Sequence, residues 1–210
     1  EDDSDDELVG VALCTDDQDV FLATRNGKAI RFASTDVRSF TSRTSTGVRA
    51  MTLKDGDKVM SLSIIDGDRD ADTLEAEDMI LTVSQNGYGK QTSSTEYRRI
   101  KRGGQGVANI DMTEKTGPVV ASFPIENGAQ LMLVTDQGKM IRIPTTNVRV
   151  TSRATQGVTL FKVAKNEKIV SAAKILEDDD DEEHDGDQGE GGDVVEAPAD
   201  VIDTELPDGE

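Results

Sequence analysis

A motif that repeats three times along the chain of 210 residues places the strongest limit on its fold. Each copy has an apolar run ending in Asn-Gly or Gln-Gly, at Gly27, Gly87 and Gly138, and a Gly-Val pair 19 or 20 residues later. Such a period predicts similar small units that bury their faces against one another. The glycines of the three Gly-Val pairs each follow a basic residue by four positions: Gly47 follows Arg43, Gly106 follows Arg102 and Gly157 follows Arg153.

Each copy has the pattern of short β-strands. Val20–Thr24 and Ala29–Phe32 flank Asn26-Gly27, a dipeptide that favours a two-residue hairpin because glycine accepts positive φ. No long segment shows a 3.6-residue apolar period, so little helix is expected. The sequence therefore predicts an all-β, propeller-like protein of four-stranded antiparallel blades. The third strands are predicted at 48–53, 107–112 and 158–163, and the fourth begin at Val59, Val119 and Ile169.

The repeats also predict the domain organisation. Three blades are expected at about residues 8–65, 79–125 and 126–176, with an acidic loop at 66–78. An acidic linker, 1–7, precedes them. The segment 177–210 combines Asp and Glu with Gly and Pro and has few large apolar residues, which predicts a disordered tail. Three blades would leave open sheet edges unless further blades or partners cover them.

Charge is distributed very unevenly along the chain. The net charge of -19 comes from the ends, because 1–7 holds six acids and 177–210 holds 17, with no Lys or Arg in either. The rest has 19 acids and all 23 bases. This asymmetry predicts a polyanion-binding body with an acidic tail that competes for its basic surface, the alternative being a tail that only aids solubility.

The composition excludes most catalytic and metal sites. One Cys and one His cannot supply a cysteine-clustered zinc site or any arrangement that needs two imidazoles. Cys14, in an apolar run, is predicted to be a buried small hydrophobe. No apolar run approaches the roughly 20 residues of a membrane helix, and the acidic N-terminus is unlike a signal peptide. A soluble, cytoplasmic chain is therefore expected.

Two glycine- or aspartate-rich segments are poor matches to ligand-binding loops. The segment Gly103–Gly106 lacks the Lys-Ser/Thr and the helix of a nucleotide-binding phosphate loop. Residues 66–77 partly copy a calcium loop, but Ala71 occupies the place of the turn glycine. We therefore predict neither a nucleotide nor a metal ion as a cofactor of this chain.

A family resemblance rests on Lys101-Arg102-Gly103-Gly104-Gln105-Gly106-Val107, together with the Asn/Gln-Gly hairpins and the Arg-x-x-x-Gly-Val spacing. These features resemble the C-terminal DNA-wrapping region of bacterial DNA gyrase A. The resemblance implies a β-pinwheel whose basic rim wraps DNA and, in the parent enzyme, ATP-driven introduction of negative supercoils. The family's hallmark box has Gln where this chain has Ile100 and a basic residue where it has Gln105. Neither Tyr88 nor Tyr97 matches the family's catalytic tyrosine.

What the resemblance implies about partners follows from the parent enzyme. The expected partners are double-stranded DNA, the rest of gyrase A and the ATPase protein of the same heterotetramer, with no membrane involved. ATP and Mg²⁺ are expected only in that parent complex, and no catalytic residues are expected in this chain. Alternatives are the corresponding region of topoisomerase IV, which binds DNA without strong wrapping, and a propeller-type scaffold whose basic face docks an acidic protein.

Candidate DNA-binding residues are those whose cationic side chains can track phosphates, and glycines that let a duplex approach closely. Recognition is expected to be independent of base sequence, because no recognition helix is visible. The strongest candidates lie in the cluster Arg98, Arg99, Lys101 and Arg102, with Arg43 and Arg153 as repeat equivalents of Arg102. The others are Arg25, Lys28, Lys90, Lys139, Arg142 and Arg149, and the glycines are Gly103, Gly104 and Gly106.

Overall fold

The computed structural model describes residues 7–42, 44–67, 78–126 and 128–175. They belong to one compact unit, Glu1–Glu177, and the second unit, Asp178–Glu210, lies wholly outside them. Arg43, nearly all of the acidic loop with the calcium-like pattern, and the acidic tail are therefore outside the described residues. The strands are β1 (Gln18–Thr24), β2 (Lys28–Ala33), β3 (Val59–Asp66), β4 (Met79–Ser84), β5 (Tyr88–Ser93), β6 (Val107–Ala108), β7 (Val119–Ile125), β8 (Gln130–Thr135), β9 (Met140–Pro144), β10 (Val158–Thr159) and β11 (Ile169–Ile175).

These strands form three antiparallel sheets, one for each repeat. Their strand orders are β3-β1-β2-β6, β10-β5-β4-β7 and β11-β8-β9. The predicted hairpins are present as β1–β2, β4–β5 and β8–β9, and their turn glycines have φ of 73°, 82° and 78°. The prediction of an all-β, propeller-like fold is confirmed for this part of the chain, with the predicted four strands in the first two sheets and three described strands in the third.

The fourth strand of a sheet comes from the following repeat. β6 lies in the second repeat but pairs with β2 of the first, and β10 of the third repeat pairs with β5 of the second. The prediction of the third strands at 107–112 and 158–163 was therefore wrong about the sheet, because these segments pair with the sheet of the preceding repeat. The strand within each segment is only two residues long. Segment 48–53 forms no strand. The local sequence pattern predicts an extended segment, whereas packing between repeats determines the strand with which that segment pairs.

Glycine makes this strand exchange possible. Gly106 precedes β6 with φ of 71°, and a Cβ there would lie 2.3 Å from the carbonyl oxygen of Ala29 in β2. Gly157 precedes β10 with φ of 76°, and its Cβ would lie 2.5 Å from the carbonyl oxygen of Gly89 in β5. Any side chain at these positions would push the exchanged strand away from its sheet.

Two hydrophobic clusters of the described residues lie between successive sheets, and a third buries Val20, Leu22, Ile30 and Phe32 of the first sheet with Met51. Phe21 and Ala23 on β1 pack against Ile80 and Tyr97 of the second repeat, and the Phe21 and Tyr97 rings meet edge to face at 5.0 Å. The next interface is mostly aliphatic. It buries Leu81, Val83, Leu131, Leu133, Val148 and Ile169.

The N-terminal apolar run belongs to none of the sheets. Leu8, Val11 and Leu13 are more than four-fifths exposed. Cys14 is also exposed, so the prediction that it is buried was wrong. Its apolar neighbours favoured burial, but the chain enters β1 only at Gln18, after this run has ended.

Candidate nucleic-acid interface

Each repeat presents an exposed arginine at the same place. A 3₁₀ turn follows β2, β5 and β9, at Ser34–Asp36, Ser94–Glu96 and Thr145–Asn147, and an arginine follows each turn by two positions. We call these three the turn arginines. They are Arg38, Arg98 and Arg149, and all three are exposed.

The fold holds the turn arginines at fixed positions. The hydroxyl of Thr145 donates to the carbonyl oxygen of Ala129 at 2.7 Å, which anchors the third turn. Tyr97 and Val148, immediately before two of the arginines, are buried. A buried residue followed by an exposed one directs the arginine side chain towards solvent. Arg38 in addition lies over the Phe40 ring, 4.6 Å from its centroid.

Arg38 was missed by the sequence reasoning, which considered the Gly-Val spacing but not the turn. The signal was present as Ser/Thr-Thr followed by Asp, Glu or Asn, then Val or Tyr, then Arg, in all three copies. Of the arginines that were predicted, Arg98 and Arg149 are the two other members of this set. No side-chain hydrogen bond or ion pair engages either of them within the described residues.

The basic cluster Arg98–Arg102 contains both exposed side chains and side chains that bond to other residues of the chain. Lys101 is exposed, like Arg98. Arg99 forms an ion pair with Asp19, with 2.5 Å between Nη2 and Oδ1. Arg31 also donates to Asp19, from Nε to Oδ2 at 2.6 Å. Because Asp19 is fully buried, the two arginines compensate its charge at the boundary between the first and second repeats.

The arginines four positions before Gly-Val make contacts between repeats. Arg102 Nη1 donates to the carbonyl oxygen of Arg49, and Nε donates to that of Asp36, both at 2.9 Å. Arg153 Nη1 donates to the carbonyl oxygen of Ala108 at 2.9 Å. The repeated spacing therefore has a structural use, in which a guanidinium of one repeat holds the Gly-Val segment of the repeat before it.

Lys90 is buried rather than displayed. Its Nζ donates to the carbonyl oxygen of Ser152 at 2.6 Å, and none of the residue is exposed. Burial lowers the pKa of this ammonium group to about 8, the neighbouring Arg153 charge adds to the effect, and Glu96 opposes it. In this position Lys90 cannot reach a phosphate.

The remaining candidates vary in exposure. Arg25 is exposed and Lys28 is half-buried. Lys139 pairs with Glu167 at 2.9 Å, and the ion pair contributes to lowering the pKa of that carboxyl after the hydrogen bond from the Ala164 backbone. Exposed Arg142 donates from Nε to the side-chain oxygen of Gln130.

The three candidate glycines differ in what surrounds them. A Cβ at Gly103 would meet nothing within 4 Å, and one at Gly104 would meet only ordinary contacts. A Cβ at Gly106 would collide with the carbonyl oxygen of Ala29 in β2, so this glycine is in contact with the first sheet. Only the first two therefore leave room for close approach by a ligand backbone.

The described surface thus carries exposed cationic side chains in each of the three repeats. No group of three or more His, Cys, Asp or Glu side chains that could hold a metal ion occurs within residues 7–42, 44–67, 78–126 and 128–175. The described part of the chain also contains no helix long and apolar enough to cross a membrane. Exposed guanidinium and ammonium groups can each bind a phosphate oxygen.

Comparison with known proteins identifies relatives of the whole repeated region. The family model for the DNA gyrase C-terminal domain, a β-propeller, matches residues 18–66, 78–126 and 129–175. DNA gyrase A of Rickettsia bellii is 38% identical over 222 residues, which cover 87% of this chain and 24% of that protein. DNA gyrase A of Salmonella typhimurium is 40% identical over 196 residues, covering 93% of this chain and 21% of the relative.

A solved structure shares the fold. The crystal structure of the C-terminal domain of DNA topoisomerase IV superposes with a TM-score of 0.72 at 24% identity, over 82% of this chain and 51% of that one. The chain spans about a quarter of the length of the curated relatives that it matches.

Proposed function

Because the chain belongs to the family of DNA gyrase C-terminal domains, we propose that it binds double-stranded DNA through basic side chains repeated from sheet to sheet. The observation that carries the proposal is the set of turn arginines, Arg38, Arg98 and Arg149. One exposed guanidinium per repeat, at the same place in each, gives a duplex one recurring phosphate contact as it passes from repeat to repeat. Lys101 and Arg25 add exposed charge to this surface.

The proposed contacts are with phosphates and not with bases. The turns are short and no α-helix is present among the described residues, so no element of a kind that enters the major groove accompanies the arginines. Binding should therefore depend weakly on base sequence. It should depend strongly on salt, because each neutralised phosphate releases condensed counterions.

We propose further that the duplex bends around the array. Bending about 20 to 30 base pairs through 40° to 90° costs on the order of 1–6 kcal/mol. Phosphate contacts from several repeats would offset that cost, whereas a single repeat could not. Wrapping thus requires a duplex long enough to reach all three turn arginines.

Within the parent enzyme, the proposed role is to present DNA and not to cleave it. An ATP-dependent topoisomerase that combines this region with an ATPase protein would use the wrapped segment as the substrate for strand passage that introduces negative supercoils. ATP and Mg²⁺ would act elsewhere in that complex. Such an enzyme works on the bacterial chromosome, which places the proposed function in the cytoplasm.

The experiment that tests DNA binding is a gel-shift titration of the chain with a short and a long duplex of equal base composition, each at two salt concentrations. We expect affinity to increase with duplex length and to fall steeply with salt. Affinity that is independent of salt would contradict phosphate binding. Affinity that depends on salt but not on length would contradict wrapping and leave simple DNA binding, the behaviour expected of a topoisomerase IV region.

A second experiment concerns the acidic segment 177–210. We propose that its 17 acids compete with DNA for the basic surface. Removing the segment should then tighten binding at low salt and have less effect at high salt. A version in which the acids are replaced by Asn and Gln separates charge from length. Unchanged affinity in both variants would leave the segment no competitive role.

A further inference from the structure

Four buried polar side chains of the second repeat bond to one another, and we call them the polar network. The hydroxyls of Tyr97 and Thr82 donate to Oδ1 of Asn109, at 2.6 Å and 3.2 Å. Nδ2 of Asn109 donates to Oγ of Ser122 at 3.3 Å. Because the proton of Thr82 is used on Asn109, the contact of 2.9 Å between Ser122 and Thr82 has Ser122 as its donor. No member is more than 1% exposed.

The other two repeats have apolar residues at all four of these positions. A sheet of this kind therefore forms without the network, and hydrogen bonds between buried groups add little net stability over apolar packing. The reason for the network must be sought in the geometry that it fixes. In the order Thr82, Ser122, Asn109 and Tyr97, the equivalents are Leu22, Leu62, Ala50 and Val37 in the first repeat and Leu133, Ala172, Leu160 and Val148 in the third.

Tyr97 is the member of the polar network that adjoins a turn arginine, because Arg98 follows it directly. The Tyr97 ring packs edge to face on Phe21 of the first sheet, and its hydroxyl is held by Asn109. A side chain fixed at both its ring and its hydroxyl restricts the backbone of the next residue. The second repeat has a described repeat on either side, so contacts that the structure describes surround this arrangement.

The turn arginine of the third repeat is held in a different way. The carbonyl oxygen of Arg149 accepts a bond of 3.0 Å from the backbone N–H of Gln91 in the second sheet. Within the described residues, the carbonyl oxygen of Arg98 accepts no corresponding bond from the first sheet. Arg98 instead lies between two anchored side chains, those of Tyr97 and of the ion-paired Arg99. Side-chain contacts thus replace the backbone bond at this position.

We propose that Tyr97 and Asn109 are positioning residues for DNA binding, which act by holding Arg98 where it meets a phosphate. The proposal rests on the proposed function and adds to it two buried residues that do not themselves touch DNA. An arginine whose backbone is ordered before DNA arrives loses less conformational freedom when it binds. The polar network therefore increases affinity without adding a phosphate contact.

The salt dependence of DNA binding distinguishes positioning from direct contact. The slope of log affinity against log salt counts the phosphates that the protein neutralises. The side chains of Tyr97 and Asn109 carry no charge, so losing their bond should weaken binding by the same factor at every salt concentration and leave the slope unchanged. Losing Arg98 should lower both the affinity and the slope.

The test is a double-mutant cycle on DNA affinity that combines Tyr97→Phe with Arg98→Ser. Tyr97→Phe keeps the buried ring and removes only the hydroxyl. Fluorescence anisotropy with a long labelled duplex, at several salt concentrations, measures affinity and slope. We expect Tyr97→Phe to weaken binding about two- to threefold when Arg98 is present and less than about 1.5-fold when it is replaced. Asn109→Ala should show the same dependence on Arg98.

The matched control is Tyr88→Phe, the same chemical change at the other tyrosine of the chain, which should leave affinity unchanged. Circular dichroism and the thermal midpoint establish that each variant is folded during the titration. A Tyr97→Phe variant that binds like the parent, or one that loses the same factor with and without Arg98, would overturn the positioning role. If Arg98→Ser itself binds DNA as tightly as the parent, the contact at Arg98 in the proposed function fails, and the positioning role fails with it.

Discussion

Arg153 donates a hydrogen bond of 2.9 Å to the carbonyl oxygen of Ala108 across the boundary between the third and second repeats. Arg102 makes the corresponding bond to Arg49. Both arginines had been predicted to contact DNA, and both have a structural partner already. The exposed turn arginines make no such bond within the described residues. The structure therefore distinguishes arginines that hold neighbouring repeats together from arginines that are exposed, although the sequence alone does not distinguish them.

The first prediction tests this separation by stability. Arg153→Ala should lower the free energy of unfolding by about 1–3 kcal/mol, because a hydrogen bond to a charged group is removed and a carbonyl oxygen is left unpaired. Arg149→Ala, the matched control four residues earlier, should change it by less than about 0.5 kcal/mol. Urea unfolding measures both. Equal losses of stability in the two variants would contradict the distinction.

The second prediction concerns DNA affinity. Replacing Arg38, Arg98 and Arg149 together by Ser should weaken binding and reduce the slope of log affinity against log salt by about 0.9 for each phosphate that is no longer neutralised. A control that replaces the exposed Lys54, Lys58 and Lys162 by Ser removes the same charge. Titration at four or five salt concentrations gives the slopes, and similar slopes for the two triple variants would count against the turn arginines.

The third prediction concerns the glycines of the Gly-Val pairs. Gly106→Ala should destabilise the chain by more than about 2 kcal/mol, since its Cβ would collide with the Ala29 carbonyl oxygen in addition to the strain of positive φ. Gly47→Ala carries the strain alone and should cost about 1 kcal/mol. Thermal unfolding of the pair measures the difference. If the Gly47 variant were as unstable as the Gly106 variant, backbone strain at positive φ, and not close contact with the neighbouring sheet, would be the reason that glycine is needed at these positions.

The fourth prediction concerns pH. The folded pKa of Lys90 is lowered to about 8, against an ordinary value of 10.5, so between these values the unfolded chain binds more protons than the folded one. Stability should therefore rise with pH from about 8 upward. Above about pH 10 Tyr97 opposes the rise, because burial raises the pKa of its hydroxyl.

Lys90→Met separates this effect from other titrations. It removes the titrating group, so the rise in stability above about pH 8 should disappear. Urea unfolding of the parent and the variant at several pH values measures the two slopes. A parent whose stability falls with pH over this window, or a variant that keeps the rise, would contradict the assignment to Lys90.

Much of the fold followed from the sequence, because hairpin chemistry is local. Asn26-Gly27 and its equivalents require positive φ, and the flanking runs have the composition of strands. The sheet that each Gly-Val segment joins could not be predicted, since β6 and β10 pair with strands of the preceding repeat. Nothing within residues 107–112 distinguishes a third strand of their own sheet from a fourth strand of another.

The candidate site could be predicted only in part, because sequence shows charge and not exposure. Arg98 and Lys101 are exposed as expected. Lys90 is buried, and it occupies a position where the other repeats have Ile30, which is buried, and Ile141, which is half-buried. Its alignment with two apolar residues was visible in the sequence. The ion pair of Arg99 with Asp19 was not visible, because 80 residues separate the two.

The exchange of β6 and β10 also sets the order in which the chain can fold during its synthesis. The first sheet lacks a strand until Val107–Ala108 has been made, and the second until Val158–Thr159 has been made. Folding on the ribosome therefore lags one repeat behind translation, and each new repeat completes its predecessor before it is itself complete.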